Sequence, residues 1–174
     1  MIKLSSVVDA LVAERTSEPE PFTWTTPIRH DKFLVGQLQR ANLELRTLFS
    51  IAAQACSDAS FDAAANALTN CMSKLRDVQR VEALRLYPIL AHQAGSDSNA
   101  GATVAYLRLR THTLARRFLR LGETLVASCR ARKPAIADFV EAKSALDGYI
   151  SVKETQLYEA YAASVATAAT AKVG

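Results

Sequence analysis

Apolar or small side chains recur at steps of three and four through four successive segments of this chain, the spacing that gathers them on one face of an α-helix. In helix A the series is Leu34, Leu38, Ala41, Leu45, Leu48 and Ala52, and it fades into the polar residues 57–60. Helix B carries Phe61, Ala64, Leu68, Cys71, Leu75, Val78, Leu86 and Ile89 and is expected to stop near Pro88, ahead of a loop at residues 95–101. Helix C carries Val104, Leu107, Thr111, Leu114, Phe118, Leu121 and Leu125. It ends in the basic run Arg130, Arg132 and Lys133 before Pro134, where cations suit the negative end of a helix dipole. Helix D carries Phe139, Ala142, Leu146, Tyr149, Leu157 and Ala160.

The five prolines leave two long proline-free tracts, and Ala fills 31 of the 174 positions while clusters of β-branched and aromatic residues are scarce. Both facts favour helix over strand. Short connections make consecutive helices neighbours, so the expected fold is all-α, an antiparallel up-down-up-down four-helix bundle over residues 25–164. Thr25, Thr26 and Pro27 supply its start signal. Residues 1–24 form an N-terminal segment with a short amphipathic helix or arm, and residues 165–174 are expected to fray.

Several functions are disfavoured. No apolar run reaches the roughly 18 residues of a membrane span and no secretory leader is visible, so the expected location is the cytoplasm, without membrane contact. Cys56, Cys71 and Cys129 are odd in number and lack CxxC spacing, which reads as buried free thiols. The net charge of +4 is modest. Arg108, Arg116 and Arg120 share a helical face, but no interleaved aromatics support base stacking, so nucleic acid is not the expected partner. No Gly-rich phosphate loop, nucleophile elbow or His-Glu-x-x-His motif is present, and catalysis is not expected.

Polar residues fall on the apolar faces. Steps of three and four land on Glu82 in helix B and on Lys153 in helix D, while His30 lies four residues before Leu34 and His112 lies beside Thr111. A charge in a bundle core is costly unless paired, so two opposite charges at matching heights suggest each other or one shared ligand. The sequence also echoes itself. Residues 75–87 align with residues 146–158, setting Val78 against Tyr149, Glu82 against Lys153, and Leu86-Tyr87 against Leu157-Tyr158.

On these residues the chain resembles the hemerythrin-like (HHE cation-binding) family over about residues 28–161. In that family two helix pairs each contribute a first-helix His and a His-x-x-x-Glu motif followed by Leu-Tyr/Phe-Pro, together holding two irons. The resemblance implies that His30 and His112 correspond to the first-helix ligands and Glu82 to the first glutamate, followed by Leu86-Tyr87-Pro88. Val78 and Tyr149 stand at histidine positions and Lys153 at the second glutamate position, so the ligand set is incomplete.

The expectation is therefore a bundle without metal, in which the Lys153 ammonium takes the place of a cation beside Glu82, supported by His30, His112 and the Tyr149 hydroxyl. Its role would be that of a regulatory, sensory or protein-interaction module, with another protein as partner and a homodimer as the alternative. A second expectation is one iron or zinc ion on His30, Glu82 and His112, with Tyr149 as a further donor. A third is histidine phosphotransfer at Thr111-His112-Thr113-Leu114, where Ala115 and Arg116 depart from that family's Lys and Gly.

Overall fold

The structure is a computed structural model that describes residues 31–95, 97–133 and 136–170, and among these all regular structure is helical. The N-terminal arm, the start at residues 25–27 and His30 lie outside the described residues. The first rod is α1, Leu34–Ser57. The second comprises α2, Phe61–Val81, a π-helical turn, Glu82–Leu86, and α3, Tyr87–Ala94. The third is α4, Ser98–Arg130. The fourth comprises α5, Ile136–Val152, a second π-helical turn, Lys153–Leu157, and α6, Tyr158–Thr170. Consecutive rods pack side by side, and the fourth returns against the first, which closes the four-helix bundle.

Local chemistry explains the boundaries. Asp97 caps α4, its Oδ1 accepting from the backbone N–H groups of Asn99 and Ala100 at 2.9 and 3.3 Å. The ends of α1 and α4 are built alike. Ser60 N bonds back to Ala55 O at 2.8 Å and Lys133 N to Ser128 O at 2.9 Å, with Ala59 and Arg132 in the left-handed region at φ 57° and 54°.

Two boundaries differ from the sequence expectation. The second rod runs through Pro88 to Ala94, because the π turn ends just before it and leaves Pro88 in the first turn of α3, where its missing N–H breaks no helical bond. The fourth rod is helical past residue 164, to Thr170, in keeping with the high intrinsic helix propensity of its Ala-rich sequence. Leu157 at the end of its π turn and Tyr158, Tyr161 and Ser164 beyond it are buried, and Ala160 faces outward.

The duplication is written into the buried faces. Leu34, Leu38, Asn42, Leu45, Phe49, Ala52 and Cys56 of α1 match Leu107, Thr111, Ala115, Phe118, Gly122, Leu125 and Cys129 of α4, one for one. In the other pair, Leu68, Cys71, Leu75, Val78, Glu82, Leu86 and Tyr87 match Phe139, Ala142, Leu146, Tyr149, Lys153, Leu157 and Tyr158. Size is exchanged across the repeat. Phe49 packs on Phe118 and Phe139, both at 5.8 Å between ring centroids, while its counterpart Gly122 admits Met72 so closely that an added Cβ would lie 2.7 Å from the sulfur. All three cysteines are buried and free.

Candidate functional site

Both π turns begin on a buried charge, at Glu82 and at its repeat counterpart Lys153. A π turn inserts one residue into the helix and breaks its hydrogen-bond ladder, a cost that tends to persist where the local geometry serves a site. Here the two insertions face each other across the bundle. Lys153 Nζ lies 2.7 Å from Glu82 Oε1, with the two residues 0% and 2% exposed.

The surroundings account for every polar atom of the pair. Lys153 Nζ also donates to Asn42 Oδ1 at 2.8 Å and sits 4.1 Å from the centroid of the Tyr149 ring, so its three hydrogens meet a carboxylate, an amide oxygen and a π face. The Tyr149 hydroxyl donates to Glu82 Oε2 at 3.2 Å and the Tyr158 hydroxyl to Glu82 Oε1 at 3.3 Å. Three donors on two oxygens require Glu82 to be the acceptor-only carboxylate. Asn42 Nδ2 then donates to the Tyr158 oxygen at 3.3 Å and to Glu154 Oε1 at 3.1 Å. Glu154 is half-buried and pairs with Arg46 at 3.9 Å, carrying the network to the surface.

Burial lowers the pKa of Lys153, and the charges of Glu82 and Glu154 oppose that shift. Burial raises Tyr149 and Tyr158, with the Glu82 charge acting in the same direction. Tyr87, the repeat counterpart of Tyr158, is pushed up to about 12 by burial, and its hydroxyl is 2.8 Å from Thr111 Oγ1.

Of the residues singled out from sequence, Glu82, Tyr149 and Lys153 come together, and Val78 is a buried apolar neighbour with no donor to offer. His112 does not join them. It is exposed, because adjacent helical residues point about 100° apart and Thr111 holds the inward position. The register also makes Gln39, not His30, its counterpart. The expected support of the ion pair by His112 is therefore corrected to support by Asn42 and Tyr158. Asn42 could have been found by stepping four from Leu38 and three back from Leu45. The apolar neighbour Ala41 fits nearly the same spacing and conceals it.

A metal does not fit these donors. Both oxygens of Glu82 are engaged, and an ammonium already holds the place a cation would take. Among the described residues, no three His, Cys, Asp or Glu side chains are grouped to hold a metal ion. No helix among them is long and apolar enough to cross a membrane.

Fold and site together define a four-helix bundle with a charge-neutralised, fully hydrogen-bonded polar centre. No family model, no curated protein and no solved structure matches the chain.

Proposed function

We propose that this chain is a hemerythrin-like, antiparallel up-down-up-down bundle that works without metal in the cytoplasm, as a regulatory, sensory or protein-interaction module. The observation that carries this reading is the Lys153–Glu82 pair at aligned π turns, a fixed positive charge beside the glutamate that the resemblance assigns to iron. The family's frame is kept, and its cation is replaced by a side chain. Protein purified without chelator and then exposed to iron and zinc is expected to carry far less than one metal per chain by elemental mass spectrometry. Stoichiometric metal that disappears in a His30→Ala/Glu82→Gln variant would overturn the reading and restore a mononuclear site.

One observation favours a second reading, histidine phosphotransfer. His112 is exposed on a long helix of a four-helix bundle, with Arg108 and Arg116 one turn away on either side. On this reading, a small phosphoramidate donor should leave an acid-labile phosphate on the parent protein and none on His112→Ala. An unlabelled parent would dismiss it.

A further inference from the structure

Beside the ion-pair network an open cleft of about 830 Å³ lies between the second rod and α4. Its volume falls in the range of small-molecule sites. Its walls differ in character from one end to the other. Arg76 and Arg80 on α2 and Arg108 and His112 on α4 supply its basic lining, each pair one helical turn apart. Towards the end of α3 the lining is small and apolar, with Ala91, Ala94, Val104 and Ala105. A Cβ added at Gly101, in the same wall, would meet nothing within 4 Å.

The basic side chains of the lining are poorly neutralised. Arg76 reaches Glu123 at 3.5 Å, but neither Arg80 nor Arg108 has a carboxylate within ion-pair distance among the described residues. Arg108 is instead held over the ring of Tyr87, 5.7 Å from its centroid, which holds a guanidinium in the cleft wall. Leu109, 65% exposed, lines the cleft as well and gives a bound apolar body something to cover. Glu82, the one carboxylate in the lining, is neutralised by Lys153 and does not repel an anion as a free carboxylate would.

We infer that the cleft binds an amphipathic organic anion, its carboxylate between Arg80 and Arg108 and its hydrocarbon body along Ala91, Val104 and Ala105. This deepens the sensory reading and rests on it, because the ligand would touch Glu82 and Tyr149 and so report directly to the central network. Metal content tests that reading, whereas ligand titration tests the cleft, so the two can fail separately.

The probe is decanoate below its micelle concentration, titrated into the full chain and followed by backbone amide NMR shifts. Shifts are expected at Ala83, Val104 and Ala105 and not at Leu45. Arg80→Ala/Arg108→Ala is expected to weaken binding about tenfold or more, the loss of charge-assisted contacts. Gly101→Trp, which fills the apolar end without a backbone clash, is expected to abolish binding. Decyltrimethylammonium and inorganic phosphate should each bind at least about tenfold more weakly, lacking the charge or the body. The inference is overturned if decanoate does not bind, if its shifts fall outside the cleft, if either variant binds like the parent, or if either comparison compound binds as tightly.

Discussion

Lys153→Met is expected to lower the unfolding free energy by about 3–5 kcal/mol, a large share of the total for a domain whose stability is of order 5–15 kcal/mol. Methionine nearly matches the volume of the lysine stem, so cavity formation contributes little. The loss comes from what the ammonium leaves behind. Glu82 would remain a buried carboxylate with two tyrosine donors and no countercharge, and Asn42 Oδ1 would lose its donor. Adding Glu82→Met removes the stranded charge and should recover much of the loss, although the hydroxyls of Tyr149 and Tyr158 then lack their acceptor. In urea unfolding, the double variant is expected to lose at least about 2 kcal/mol less than the two single losses added together. Additive losses would mean that the two charges do not depend on each other, and Lys153→Met as stable as the parent would remove the centre from the account altogether.

That network shows where sequence reasoning reaches and where it stops. Glu82 and Lys153 were legible because an ionisable residue interrupts an otherwise apolar series, and their alignment in the repeat made them a pair before any geometry was known. Asn42 was hidden for the opposite reason. An apolar stripe has two admissible neighbours at each turn, and apolarity selected Ala41 and Leu48, whereas the buried positions are Asn42 and Phe49. Only a partner arriving from the fourth rod makes a buried asparagine favourable, and that partner lies 111 positions away in sequence. His112 erred through the same ambiguity, since Thr111 and His112 cannot both face the core. The π turns left no sequence signal of their own. They add one residue to an intact helical pattern, which is why Ala160 took the place of Tyr161 in the expected face. The four rods themselves were legible because periodicity, propensity and proline placement all agreed.

Alkaline unfolding is the second large effect expected, and its sign follows from the buried phenols and thiols. Tyr87 is pushed up to about 12, Tyr149 and Tyr158 are raised by burial beside Glu82, Cys71 is pushed up to about 12 and Cys129 to about 11. Each keeps its proton in the folded state after the unfolded chain has lost it, near pH 10 for tyrosine and 8.5 for cysteine. Their stabilisation is therefore complete below those values and lost as pH rises towards the folded pKa, at about 1.4 kcal/mol per pH unit for each group. Lys153 acts the other way. Its lowered pKa makes the unfolded state bind the extra proton, so its own term grows more favourable up to its ordinary value near 10.5 and then levels off. One rising term cannot offset five falling ones, and between about pH 10.5 and 11 all five work unopposed. Urea midpoints should hold between pH 7 and 8 and then drop steeply above pH 10, with an unchanged denaturant slope. Phenolate absorbance from the three tyrosines should appear together with unfolding, not ahead of it. Tyr87→Phe should remove one proton's share of the steepness. A midpoint that stays level through pH 11, or phenolates of Tyr87, Tyr149 or Tyr158 that form in a chain still folded, would show that these side chains reach solvent and that the polar centre is looser than its hydrogen bonds indicate.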